Sequence, residues 1–444
     1  MDFWSARKAA LEQNLDVPAL KVAVIGAGAA GLVTARELIR AGHDVTVFEQ
    51  GDEVGGTWIY RSESEPDPLG QTGGRVHSSM YASLRTNLPR DVMAFMDYTF
   101  DSAGGGDDDW PRYPGHREVL QYLRRFAEAF SVHQLIRFDT RVVEVCDSAC
   151  WQVTTEHSGR HSTASFDAVA VCNGHYHKPR IPAIPGLSDF PGTLLHSHNY
   201  RQPEAYAGKK VAVLGGASSA ADISQEIAGV AEHVYLCADL SKQHGIGFRE
   251  KPNIERRPTV SQLYENGRVR FTDGTISGPV DHFVFATGYH YSFPFLASEL
   301  IEVSDNHVTS LHHDLLCIDH PTLALIGLPF KIIPFPIFEI QARWFARLLN
   351  REFALPSRDA MRERAASRVE QMVRSGVNQR NLHSLEDGQY DYYDRLAGEC
   401  TDPPLPQWYR SLGEAARQHV RRWPESFRDQ PLRFYGAPTR CPKT

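Results

Sequence analysis

Gly26, Gly28 and Gly31 stand at the spacing G-x-G-x-x-G, and Glu49 follows about twenty residues after that turn. Glycines so placed let a backbone approach a pyrophosphate, and a carboxylate at that remove accepts hydrogen bonds from a ribose diol. The pattern therefore suits a dinucleotide with a free 2′-OH; alone it can also mark a tight turn. A second turn, Gly215-Gly216-Ala217-Ser218-Ser219-Ala220, keeps the first glycine and replaces the next two by alanine. The methyl of Ala217 holds the backbone farther from a pyrophosphate, while Ser218 and Ser219 offer hydroxyls to phosphate. No acidic residue stands where Glu49 stood, and Lys242 lies a few residues on, which favours a 2′-phosphate. A third candidate is Asn87, in a short polar break before Pro89 within an aromatic segment. Its neutral amide can both donate and accept, although asparagine also caps turns with its own backbone.

These residues need elements to hold them. KVAVIGAGAAGLVTARELIRAGHDVTVFEQ, Lys21 to Gln50, reads as strand, glycine turn, helix and strand, with the helix amino end facing the phosphates. Lys210 to Cys237 repeats that order, with KVAVLGG as strand and turn, a helix over Ser219 to Gly229 and HVYLC as the second strand. VGGTW, Val54 to Trp58, is a turn whose paired glycines permit close approach to a flat ligand, or an ordinary turn. The spacing predicts an amphipathic helix over His116 to Phe130, with His116 structural, and strands over Arg141 to Val145, Trp151 to Thr155 and Phe166 to Cys172. KPRIPAIPG, Lys178 to Gly186, has three prolines and is a stiff connector. DHFVFATG, Asp281 to Gly288, reads as a buried strand returning to the first lobe. Helices are expected over Ile340 to Leu349, Ser357 to Ser375 and Trp408 to Trp423.

The fold class that follows is α/β, two Rossmann-like units with the smaller inserted into the larger. Residues 1 to 177 joined by 284 to 444 form the first domain, and 178 to 283 the second. A chain of 444 residues has room for both, and 42% apolar with 23% charged residues is ordinary globular composition. The net charge of −7 leaves no basic patch for nucleic acid. The seven cysteines are scattered and never C-x-x-C, so neither a disulfide framework nor a dithiol redox pair is written. Met1 to Ala19 lacks the apolar core of a signal peptide, no run is long enough for a membrane span, and no metal cluster is evident. A soluble cytoplasmic protein is expected. The GGGDDD run from Gly104 to Asp109 is assigned no function.

Further strings narrow the reading. FPGTLLHSHNY carries Phe190, Gly192, His196 and Tyr200 just before the second cradle, in the pattern FxGxxxHxxxY/F. The chain resembles the flavin-containing monooxygenase family there, and YASLRTNLPRDVMAF, YPGHREVLQYL, CNGHYHKPRIPAIPG and FATGY resemble its plant, thioether S-oxygenating branch. The similarity runs from about Lys21 to Leu349 and thins beyond. The resemblance implies FAD on Gly26, Ala27, Gly28, Ala29, Ala30, Gly31 and Glu49, with Gly56, Thr57 and Trp58 near the flavin. It implies NADPH on Gly215, Gly216, Ala217, Ser218, Ser219 and Ala220, with Thr287 nearby. Asn87 matches the family asparagine beside the flavin and the retained NADP, where it steadies a C4a-hydroperoxyflavin formed from O₂. His196 and Tyr200 match positions more architectural than catalytic. Ala217, and the missing basic residue directly after the second-domain strand, depart from the family pattern and bear on NADPH over NADH. The implied activity is oxygenation of a soft nucleophile in a small molecule, a thioether sulfur or an amine nitrogen. The alternatives are an N-hydroxylating enzyme, a ketone-inserting one, against which Tyr200 argues because that fingerprint ends in Trp, and a flavin-binding sensor without turnover.

Overall fold

The structure, a computed structural model, describes residues 19–72, 78–105, 110–240 and 251–432. Lys242, most of the GGGDDD run, Cys441 and the chain before residue 19 lie outside the described residues.

The first cradle is β1 (Lys21–Ile25), α1 (Ala29–Arg40) and β2 (Asp44–Phe48). The strands pair in parallel from Lys21 opposite Asp44 to Ile25 opposite Phe48. Val22 to Ile25 are all buried, because a central parallel strand is covered on both faces. The chain continues through α2 (His116–Ala129) and the short edge strand β3 (Ile136–Arg137). An antiparallel meander follows, β4 (Arg141–Asp147), β5 (Trp151–His157) and β6 (Arg160–Phe166), and then β7 (Ala168–Val171), which pairs with β1. In α2, His116, Val119, Tyr122, Leu123, Phe126 and Ala127 are buried at helical spacing, so His116 belongs to the packed face as expected.

The second sheet is built from β8 (Thr193–His196), β9 (Lys210–Leu214), β10 (His233–Cys237), β11 (Ile254–Arg257) and β12 (His282–Phe285), with α3 (Ser218–Ile227) crossing between β9 and β10. Its order is β11-β10-β9-β12-β8, all parallel. The strand expected to rejoin the first lobe does not do so. β12 pairs with β9 on one side and β8 on the other, so a boundary between 283 and 284 falls inside a strand of the second sheet. β9 is an apolar central strand that needs a parallel partner on each side, and β12 fills the side away from β10. The crossing back comes just after, where Tyr289–His290 runs antiparallel to Lys178–Pro179. The two crossings thus form one short ribbon.

The first sheet is completed by residues on the far side of the second, β13 (Leu311–His312), β14 (Leu316–Cys317) and β15 (Leu323–Leu325), giving the order β13-β14-β15-β7-β1-β2-β3. Four helices follow, α4 (Pro334–Leu349), α5 (Arg358–Arg374), α6 (Gln389–Glu399) and α7 (Gln407–Arg422). α4 begins before the expected Ile340, because Pro334 sits in the first turn, where a missing N–H costs nothing. Arg36 fastens α1 to α4. It is 1% exposed and its guanidinium pairs with Glu37, with Asp97 at 2.6 Å and with the fully buried Glu339 at 2.9 Å, over the rings of Phe126 and Phe130. A buried cation tolerated in this way requires every donor to find an acceptor.

Candidate functional site

The first turn is as tight as its glycines require. Gly26 has φ +105°, and a Cβ there would lie 2.6 Å from the Cys172 carbonyl oxygen; one on Gly31 would lie 1.8 Å from that of Gly26. Ala27, Ala29 and Ala30 are buried against the strand, and the amino end of α1 has no side-chain cap, so its first N–H groups are left for another partner. Glu49 closes on the turn from β2. Its carboxylate accepts the Ala27 N–H at 2.7 Å and the Gly51 N–H at 2.8 Å.

VGGTW packs onto the same turn. The Gly55 N–H donates to the Ala27 carbonyl at 3.0 Å, and a Cβ on Gly56 would lie 2.9 Å from the Gly28 Cα. Gly55 and Gly56 have φ of +135° and +55°, and a Cβ on Gly55 would strike Leu120 of α2. The cleft between Gly28 and Gly56 is therefore backbone on both sides, a cradle that any Cβ would fill. Thr57 and Trp58 lie half-buried beside it. The residues expected at FAD are thus brought together, and they fit a flat, pyrophosphate-bearing group.

The second turn is looser. Gly215 cannot take a Cβ, which would lie 2.3 Å from the Ala286 carbonyl oxygen, but Ala220 stands fully buried where the first cradle has Gly31. Gly216, Ala217 and Ser219 are exposed, and Ala217 precedes α3 with no side-chain cap. Thr287 follows Ala286, whose carbonyl lies against Gly215, but its hydroxyl donates to the Arg180 carbonyl next to the crossing ribbon.

The segment that ends at Asn87 joins the two cradles. It starts against the first, where Ser78 Oγ donates to the Thr57 carbonyl at 3.3 Å, and ends against the second, where Asn87 Nδ2 donates to Ser218 Oγ at 3.2 Å. The loop is anchored on the stretch before α2, through the Thr86 N–H to the Pro114 carbonyl at 2.8 Å and the Arg90 N–H to the Arg112 carbonyl at 2.7 Å. Thr86 is buried and Asn87 exposed, so the side chain is held without being covered.

The fingerprint residues are packed between the units. A Cβ on Gly192 would meet Phe190 and the Asp281 carbonyl oxygen, which explains the glycine. His196 is fully buried; Nδ1 accepts the His198 N–H at 3.1 Å, so the proton is on Nε2, 3.1 Å from the Gly288 carbonyl oxygen. Burial, then the neighbouring His198, pushes its pKa down to about 3. Tyr200 stands edge-on to Tyr81 in the second core. No metal is expected, although His312, His313 and Glu399 place ligand atoms within 4.8 Å of one another. His313 and Glu399 already pair at 2.9 Å, and Trp344 Nε1 donates to the other carboxylate oxygen at 3.0 Å.

Three contributors escape a reading of the sequence: Tyr81, Asp222 and Arg428. Tyr81 donates to Asp222 at 3.1 Å, and Arg428 pairs with the same carboxylate. Nothing in spacing or composition couples residues so far apart.

Two dinucleotide cradles sharing a seam, one of them closed by a carboxylate, define a two-cofactor oxidoreductase. The flavin-binding monooxygenase-like family model matches residues 19–244 and 251–407, and the chain belongs to that family. It is a flavin-containing monooxygenase, and FAD and NADPH are the cofactor pair of such an enzyme. The match extends past Leu349, farther than the strings in the sequence carried the resemblance. A flavin-containing monooxygenase of Arabidopsis thaliana, FMO GS-OX-like 4, is 41% identical over 92% of this chain and 93% of its own. The solved structure of S-allyl-L-cysteine S-oxygenase from Allium sativum superimposes with a TM-score of 0.87 at 40% identity, over 93% of this chain and 95% of its own. That of Tmm from Pelagibacter sp. strain HTCC7211 gives 0.78 at 25% identity, over 92% and 93%. Among the described residues no helix is long and apolar enough to cross a membrane.

Proposed function

We propose that this chain uses NADPH and O₂ to oxygenate the thioether sulfur of a small molecule, with FAD on the first cradle and NADPH on the second. The balance is one thioether, O₂, NADPH and a proton giving sulfoxide, NADP⁺ and water. When bound, the reduced flavin supplies the activation of O₂ that transfers one oxygen atom to sulfur. The chain's residues bind, orient and exclude water. Gly26 to Gly31 and the amino end of α1 receive the FAD pyrophosphate, Glu49 turns to the ribose diol, and Gly56 to Trp58 flank the ring system. Gly215 to Ala220 receive NADPH in the unit between the crossing strands, with Thr287 at its edge. No side-chain base is required, because a thioether attacks with a lone pair and needs no deprotonation.

The observation that carries the reading is the Asn87 bridge. One neutral amide reaches from a segment resting on Thr57 to Ser218 at the amino end of α3. The amide meets the second cradle while its segment rests on the first, and it can donate to one group while accepting from another. The likeness to an S-oxygenase supports sulfur over amine nitrogen. A cytoplasmic setting fits six described cysteines that are all unpaired, and fractionation of the full chain checks it.

Purified protein with NADPH and air is offered a panel of thioethers and amines, and products are read by mass for one added oxygen. Sulfoxides are expected first. Oxygen gain on amines alone would overturn the sulfur assignment. Asn87→Asp should keep NADPH-driven bleaching of the flavin yet release hydrogen peroxide in place of product, because an ionised carboxylate cannot donate. Unchanged coupling in that variant would refute the role of Asn87.

A further inference from the structure

Arg428 lies beyond every sequence motif, yet its guanidinium ends beside Asn87. Nη1 and Nη2 donate to the two oxygens of Asp222 at 2.9 and 2.8 Å, and Nε donates to the Thr86 carbonyl at 3.0 Å. Its own carbonyl accepts from Arg85 Nη2 at 2.9 Å, and Arg85 Nη1 reaches Asp429 at 2.7 Å. Asp222 is one helical turn beyond Ser218 in α3, and Thr86 is the residue before Asn87. One planar cation therefore grips the residue before Asn87 and the residue one helical turn from Ser218.

Apolar packing holds the start of the segment, where Tyr81 and Leu84 rest on the second core, but it does not extend to Asn87. The seam leaves a solvent-open groove of about 340 Å³, bordered by Tyr81, Arg85, Asp222, Glu226, Lys251 and Arg428. Where apolar side chains do not interdigitate, directional polar contacts decide how two bodies sit. Phe427 anchors the segment on the other side, its ring edge-on to Tyr113 at 5.1 Å and its carbonyl 2.9 Å from His419 Nε2.

We propose that Arg428 is a positioning residue, by which the C-terminal segment sets the distance between Asn87 and the amino end of α3. This rests on the reading of Asn87 given above. Holding that distance keeps NADP in place during oxygen transfer, so Arg428 governs how much O₂ ends in product and how much in hydrogen peroxide. A lysine cannot replace it, since a single ammonium does not reproduce a bidentate pair plus a third directed hydrogen bond.

The test uses the full-length, FAD-loaded enzyme with Arg428→Ala, Arg428→Lys, Asp222→Asn and Asn87→Asp. Product and hydrogen peroxide are measured per NADPH, with KM for NADPH and the anaerobic rate of flavin bleaching at saturating NADPH. Arg428→Ala and Arg428→Lys should raise the peroxide share roughly five-fold and raise KM, while bleaching stays within about two-fold. Asp222→Asn should do the same, and the double variant should be no worse than either single one, because both remove one contact. A merely structural anchor would lower flavin content and stability and leave the product-to-peroxide ratio of the folded fraction unchanged. Unchanged coupling in the Arg428 variants alongside uncoupled Asn87→Asp overturns this proposal alone; unchanged coupling in all overturns the Asn87 reading with it. Should Arg428→Ala fail to fold, Arg428→Lys and Asp222→Asn, which preserve volume, decide the matter by the same ratio.

Discussion

The two cradles share strand, turn, helix and parallel strand, but they are finished differently. In the first, a Cβ at position 31 would lie 1.8 Å from the turn's carbonyl oxygen, and Glu49 reaches back to accept the Ala27 N–H. That cradle closes on itself. In the second, Ala220 fills the corresponding place, and Ser218 meets an amide from the other unit. That cradle is completed from outside, by Asn87 and, one turn along, by Arg428. On the proposed assignment, the difference suits two ligands with different lifetimes, a flavin held through many turnovers and a nicotinamide that must enter and leave in each. A site made of contacts between two units can loosen when they shift, whereas one made within a single turn cannot.

The sharpest break of this comparison is a methyl exchange. Gly31→Ala should purify with little or no FAD, seen as loss of flavin absorbance, because its Cβ has no place to go. Ala220→Gly should keep its flavin and cost about 1 kcal/mol of stability from helix propensity, read as a small fall in melting temperature. Equal flavin content in both would refute the claim that the turns differ in tightness. Next in size, Glu49→Ala should weaken FAD roughly 10–100-fold, since hydrogen bonds to a charged group are lost. Ser218→Ala should leave flavin intact and raise KM for NADPH about 3-fold. Ser218 is the cleaner probe than Gly215, where any side chain would meet the Ala286 carbonyl and disturb the second sheet itself.

The seam between the cradles has its own signature in acid. His196 is neutral and buried, its pKa pushed down to about 3, against about 6.5 in an unfolded chain. The unfolded state binds a proton first, so the stability it contributes is complete above pH 6.5 and falls as pH drops toward 3. The slope approaches about 1.4 kcal/mol per unit. His175 and His312, each lowered to about 4 mainly by burial, act in the same direction. Melting temperatures from pH 7 to 4.5 should therefore fall more steeply for the natural chain than for His196→Gln; parallel curves would contradict it. The smallest effect expected is that of Ala217→Gly, which frees the closest approach to the pyrophosphate and should lower KM for NADPH about 2-fold, with FAD unaffected.

Both glycine turns, their helices, the amphipathic face of α2 and the helix that begins at Ser357 were legible in the sequence. Each rests on residues one to four apart, where turn chemistry and periodicity act: Ser357, for example, caps α5 by accepting the Ala360 N–H at 3.2 Å. The reading failed where a choice depended on distant partners. His282 to Phe285 is an apolar run that suits either sheet, and only the vacancy beside β9 assigned it to the second. Arg36 looked like a helix residue and proved to be a buried hub, because Glu339 approaches from three hundred positions away. Arg428 carried no signal at all, since its meaning comes from Asp222 and Thr86, and neither spacing nor composition records such a meeting. Local sequence determined what each cradle is made of; tertiary structure decided how they face one another, because that depends on contacts closed only when the whole chain has folded.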